Sequence, residues 1–139
     1  MSFLQVEWNP RQKALRETIL KPEKFGESMK QCLELHSMVH PSEMSNRKTR
    51  TIEDELWTDL KDEEFRRMPT KKDVTIAWNT WHVTRIEDLT ANILIANGTQ
   101  VINGDDWPRR LNTSVRDTGN AMNDDEICQL SSELNMNEL

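Results

Sequence analysis

A long helical period between Val74 and Asn97 constrains this chain more than any other feature. Val74, Trp78, Ile86, Leu89, Ile93 and Ala96 fall on one line built from steps of three and four, the spacing that stacks side chains on one face of an α-helix. His82 falls on the same line, four residues after Trp78 and four before Ile86. An imidazole on a buried face must satisfy its ring nitrogens with a hydrogen bond, a metal or a substrate. The helix therefore bears on both the fold and the chemistry.

Punctuation divides the rest of the chain into shorter helices. Asn9-Pro10 reads as a helix start, since Asn caps open N–H groups and Pro loses nothing in the first turn. Ala14, Leu15, Ile19 and Leu20 mark the apolar face of that helix, and Lys21-Pro22 ends it. A second helix is expected from Glu27 to His40, with Pro22 as an alternative start and Pro41 as its stop. Met29, Leu33, His36 and His40 form its stripe, flanked by Cys32 and Val39. Residues 42–51 read as a polar loop, and Ile52 to Leu60 as a short helix. Thr70 with Asp73 resembles a capping box for the main helix, and Asn97-Gly98 ends it. The turn-rich stretch 103–122 leads to Asn123-Asp124-Asp125-Glu126, a clear start for a last helix carrying Ile127, Leu130 and Leu134. No alternating strand pattern competes. The expected class is all-α, a single domain over residues 1–139 built as a bundle of up to four or five helices.

Composition narrows the function. The chain has 139 residues, a formal charge of −6 and a mean hydropathy of −0.78. Without a broad basic stripe it lacks the electrostatic footprint of a nucleic-acid binder. No apolar run approaches a membrane span, and no secretory signal pattern opens the sequence. Cys32 and Cys128 are far apart and lack a CxxC context, so they read as free thiols in a reducing cytoplasm. Few apolar residues for this length suit a protein that completes its core by pairing with a second copy.

The three histidines are His36, His40 and His82. His36 and His40 stand at i, i+4, the spacing that lets two imidazoles approach one ion from one helix face. Adding His82 from a facing helix gives three nitrogen ligands and an open position, the make-up of a catalytic metal site. Glu34, Glu43, Glu87 or Asp88 would then orient an imidazole. The structural alternative keeps His82 as a core residue bonded to a neighbouring helix, and His40 as a charge partner of a helix end. Trp78 and Trp81 read as core anchors. The acidic runs at Asp62-Glu63-Glu64 and Asp124-Asp125-Glu126 read as helix-start charges. The four glycines match no phosphate-binding loop.

The stretch Thr75-Ile76-Ala77-Trp78-Asn79-Thr80-Trp81-His82-Val83-Thr84-Arg85-Ile86-Glu87-Asp88 resembles a helix of the DinB-like (YfiT-like) superfamily. There a phrase of the form W-x-x-W-H-x-x-R-x-E-D introduces the first metal-binding histidine. The resemblance covers about residues 70–97 and extends more weakly over Trp8 to His40. It implies a four-helix bundle, commonly dimeric, with nickel, zinc or iron held by three histidines, and His82 as the first ligand. Relatives of this kind include thiol-dependent transferases and isomerases. The family's other two ligands come as an HxxxH on a later helix, and no histidine follows His82 here.

Two readings follow. One is a DinB-like bundle lacking its C-terminal helix and completed by homodimerisation. It would be cytoplasmic and hold a divalent metal through His82, His36 and His40, acting as a hydrolase or thiol-dependent transferase on a small-molecule substrate. The other is a non-catalytic helical module that oligomerises or binds a partner.

Overall fold

The computed structural model describes residues 4–139, with side chains from Val6 onward. The described residues hold seven α-helices linked by short π- and 3-10-helical segments, with no β-strand. The all-α class is as expected. The chain divides into two compact units, Met1–Asp59 and Leu60–Leu139.

In the first unit a π-helical segment, Leu4–Trp8, runs directly into α1 (Asn9–Thr18). Pro10 sits in the first turn, where a missing N–H costs nothing. Trp8 already has helical dihedrals, so Asn9 lies inside the helix instead of capping it. A 3-10 turn, Pro22–Lys24, then leads into α2 (Phe25–Ser37), which packs on α1. Polar ties join them: Arg11 pairs with Glu34 and Glu7, and the buried Thr18 hydroxyl lies 2.9 Å from Gln31 Oε1.

On α1 the expected Ala14 and Leu15 are half-buried, but Ile19 and Leu20, beyond its end, and the expected stripe of α2 point outward. Leu20 is 88 % exposed and Leu33 64 %, and Ile19 and Met29 are also exposed. Ser28, Leu35 and Met38 are buried instead. Short and polar side chains, Thr18 and Ser28, occupy the buried positions, and a count of apolar spacing passes over them.

α2 stops at Ser37, three residues before the expected end at His40. α3 (Ile52–Trp57) begins after Thr51, as the loop-then-helix pattern predicts, and ends three residues short of Leu60. Its start is a reciprocal box. Asp54 N donates to Thr51 Oγ1 at 3.2 Å and Thr51 N donates to Asp54 Oδ2 at 2.8 Å. Ser42 N also donates to Asp54 Oδ1. Backbone N–H groups of Ser42 and Thr51 pull the Asp54 carboxyl down to about 2, so this cap stays charged well below the ordinary carboxylate range.

The second unit opens with α4 (Asp62–Arg66), whose acidic first turn suits the helix dipole as expected. Phe65 from α4 is fully buried. The long central helix α5 (Ile76–Asp88) starts two residues later than expected. Thr75 caps it, accepting from Trp78 N at 2.9 Å, while Thr70 and Asp73 stand outside the helix. α5 passes at Asp88 into a π-helical segment, Leu89–Ile95, closed by Ala96 N donating to Ala91 O. Asn97 then takes the left-handed conformation (φ 50°) that its place at the helix end predicts.

A 3-10 turn at Val101–Asn103 and the short α6 (Trp107–Arg110) lead to α7 (Asp124–Glu133). α7 starts where the sequence signals it. Asn123 Oδ1 accepts from Asp125 N and Glu126 N, and Glu126 Oε2 accepts from Asn123 N. The core of this unit gathers Phe65, Ala77, Trp81, Ile102, Leu111, Ile127, Leu130 and Leu134. The buried Thr75 and Ser131 hydroxyls, 2.6 Å apart, tie the start of α5 to α7. Arg66 Nη1 donates to Ser131 O at 2.6 Å, tying α4 there as well.

The buried line of α5 is Ala77, Trp81, Arg85 and Asp88. That is one residue, or about 100° of rotation, away from the expected line through Trp78, His82, Ile86 and Leu89. Ile86 and Ile93 are exposed. The reason is electrostatic: Arg85 and Asp88 go inside as a mutually satisfied pair, which a hydrophobic count scores as surface. Among the described residues no helix is long and apolar enough to cross a membrane.

Candidate functional site

His36 lies in the last turn of α2. The chain tightens there, with Met38 N donating to Leu35 O and Val39 N to His36 O. This turn brings His40 over His36 although the α-helix has ended. The ring centroids are 4.4 Å apart, tilted by 56°, and the two Nε2 atoms stand 3.2 Å apart. Two imidazoles on one tetrahedral ion, each at about 2.0–2.1 Å, hold their nitrogens roughly 3.3 Å apart. The first unit therefore brings together two of the three expected ligands, at a distance that an N–H···N hydrogen bond and a shared ion both match.

His82 belongs to the second unit and is half-buried on α5. Its ring stacks on Trp78, centroids 4.8 Å apart and nearly parallel at 4°. Its Nδ1 lies 2.7 Å from Thr118 O. A carbonyl only accepts, so Nδ1 carries the proton, and in the neutral ring Nε2 keeps its lone pair.

This bond is one of a series. Arg85 Nε and Nη2 donate to Arg116 O at 3.1 and 2.9 Å, and Trp81 Nε1 donates to Asp117 O at 3.1 Å. His82 takes Thr118 O, and Trp78 Nε1 donates to Gly119 O at 3.3 Å. Four consecutive carbonyls, 116 to 119, are thus each held by a side chain of α5.

Arg85 and Asp88 complete the clamp. Arg85 Nη1 donates to Asp88 Oδ2 and Nη2 to Gln100 Oε1, and the guanidinium lies 6.0 Å from the Trp81 ring centroid. Asp88 also accepts from Val101 N at 2.8 Å, Ile102 N at 3.2 Å and Asn92 Nδ2 at 2.8 Å. Burial alone would raise the Asp88 carboxyl. The N–H donors of Val101, Ile102, Asn92 and Arg85 outweigh it and hold the group below its ordinary value.

Two of the four carboxylates expected to orient an imidazole are engaged within their own units. Asp88 gives its oxygens to Arg85, Asn92 and the backbone, and Glu34 pairs with Arg11. For His82 the orienting group is a backbone carbonyl. Sequence reasoning passed over Arg85 and Gly119. The available signal for Arg85 was its i, i+3 spacing to Asp88 on a helix with Trp81 one turn back. Cys32 and Cys128 are free thiols, as expected.

Gly119 sets the strap geometry. Its φ is +77°, and a Cβ there would stand 2.7 Å from Trp78 Nε1. Gly119→Ala is therefore expected to destabilise the second unit by more than about 1 kcal/mol, read as a lowered urea midpoint. An unchanged midpoint would show that the strap does not hold this conformation in solution.

No family model, characterised protein or solved structure matches this chain.

Proposed function

We propose that this chain is a DinB-like helical protein that binds a divalent transition metal, nickel, zinc or iron. The ligand pair in this reading is His36 and His40 of the first unit, and His82, through Nε2, is a candidate ligand within its own unit. One observation carries the reading: the Nε2 atoms of His36 and His40 converge to 3.2 Å, the separation that coordination to one ion requires. The Nδ1–Thr118 bond of His82 supports it, because metal-bound imidazoles characteristically donate their other N–H to a carbonyl or carboxylate. The reaction class is then metal-assisted hydrolysis or thiol transfer on a small molecule, the ion supplying Lewis acidity. A cytoplasmic homodimer is the proposed form. Exposed Leu33, Leu94 and Ile95 favour association with a second copy.

The clamp favours a second reading, a non-catalytic helical module in which His82 is a structural tie. Elemental analysis and zinc calorimetry on chelator-free protein separate the two. The metal reading expects near-stoichiometric ion, with at least tenfold weaker binding in His36→Ala and in His40→Ala. The structural reading expects no ion, and expects His82→Ala to lower stability by about 1–3 kcal/mol. Zinc affinity unchanged by both His36→Ala and His40→Ala would remove the chelating pair from consideration.

A further inference from the structure

The His36–His40 pair stands at the end of an exposed apolar seam on α2. Phe25, Met29, Cys32, His36 and Val39 follow one another at alternating steps of four and three, the heptad spacing that keeps one line of side chains facing a partner helix. Phe25 is 69 % exposed, and Met29, His36 and Val39 are exposed as well, with Leu33 beside them. The ties to α1 fall on Gln31 and Glu34, and the buried residues of the helix are Ser28 and Leu35, all off this line. At the end of the seam the two imidazole Nε2 atoms lie 3.2 Å apart. There they offer one ion two of the four ligands that a tetrahedral site takes.

We infer that a second copy of this chain supplies the other two ligands: one divalent ion joins the His36–His40 pairs of two chains whose α2 helices lie parallel and in register. The inference rests on the metal-binding reading of this pair. A two-fold axis through the ion sets equivalent nitrogens opposite one another and completes the tetrahedron with imidazoles alone. The parallel direction follows from the place of the pair at one end of α2. Antiparallel helices lying side by side would hold the two pairs at opposite ends, whereas parallel helices bring the pairs together and cover Phe25 and Met29 with their copies. α2 has 13 residues, about 20 Å of helix. A single seam of that length falls short of the roughly 1,200 Å² of total surface from which stable interfaces start. The apolar contact therefore aligns the chains and the ion holds them, so that metal supply governs assembly. In the absence of an ion the same separation suits an N–H···N hydrogen bond within one chain.

The experiment measures the mass of the full chain by light scattering, in chelator and in saturating zinc, and the zinc stoichiometry by calorimetry. Wild type is compared with His36→Ala, His40→Ala and Met29→Glu. The last puts a charge into the seam and leaves both imidazoles in place, and helical circular dichroism checks that each variant folds. Direction is read from Cys32, which stands opposite its own copy only when the helices are parallel and in register. A short thiol cross-linker is applied to Cys128→Ser protein, so that Cys32 is the remaining thiol.

The expected result is a monomer in chelator and a dimer in zinc, stoichiometric in the ion with respect to the dimer, that is, one zinc for two chains. Cys32 cross-links in zinc and not in chelator. Both alanine variants stay monomeric in zinc. Met29→Glu binds zinc about tenfold more weakly, because pairing and ion binding are linked. One zinc per chain on a monomer, lost in His36→Ala, would overturn the shared site and leave the pair as a metal ligand. A dimer equally present in chelator, or a zinc dimer that does not cross-link through Cys32, would overturn it too. Zinc that fails to bind, or that binds wild type and both alanine variants equally, would end the metal reading of the pair and the shared site with it.

Discussion

Trp81→Ala is expected to destabilise the second unit by about 3–5 kcal/mol. Trp81 is the largest fully buried side chain, at 0 % exposure. Its loss removes a large apolar surface from the centre of the core and leaves a void that rigid helices fill only in part. It also leaves the carbonyl of Asp117 without its indole donor, adding an unmet acceptor. Urea unfolding followed by helical circular dichroism measures the effect. A loss below about 1.5 kcal/mol would mean that Trp81 is not packed at the centre of this unit. Trp78→Ala, half-buried on the same helix, should cost less.

Asp88→Asn is expected to cost about 3–5 kcal/mol, the cost of removing one partner from a buried ion pair. The Arg85 and Asp88 side chains are 3 % and 8 % exposed. The amide keeps the shape but leaves the guanidinium charge uncompensated, and it turns an NH2 group towards two of the donors that Asp88 now satisfies. A double variant, Arg85→Met with Asp88→Leu, should lose less than the sum of the two single changes, because it leaves no charge stranded.

The same group predicts an acid limb. Asp88 has a folded value below its unfolded one, so its stabilisation is complete above the unfolded value of about 3.9. It is lost as pH falls from there through the lower folded value. Wild type should therefore lose stability across that window, and Asp88→Asn should lose visibly less. Equal acid slopes in the two proteins would place the acid sensitivity elsewhere.

Caps and punctuation were the legible part of this fold. Asn123 with Glu126 specifies the start of α7 because the capping residues are local and act through fixed offsets. The turn at Asn97 is local for the same reason. The face of α7 was also legible, since Ile127, Leu130 and Leu134 are buried as expected, but the faces of α2 and α5 were not. In α5 the expected line through Trp78, His82 and Ile86 lies beside the buried line through Ala77, Trp81 and Arg85. Hydropathy ranks arginine and aspartate as surface residues, and only a three-dimensional partner set overturns that. Residues 116–119 lie more than thirty positions beyond the side chains that hold them, so no periodicity signals them. The i, i+4 spacing was sufficient to pair His36 with His40, although the helix was expected to run three residues further than it does.

The strap is recognised through its main chain, which distributes sequence information very unevenly. Carbonyl oxygens are common to all residues, so the contact reads the path of segment 116–119 far more than its side chains. The specificity is written almost entirely on α5, in Trp78, Trp81, His82 and Arg85. Opposite them Gly119 is fixed by its dihedral and by the indole against it, while Asp117 Oδ1 accepts from Gly119 N and Arg116 Nη1 donates to Ile102 O. At Thr118, whose carbonyl holds the histidine, the side chain is free to drift while the interaction stays the same. Related chains would therefore be recognised by a tryptophan–histidine–arginine helix and a distant glycine, with little similarity in the residues between.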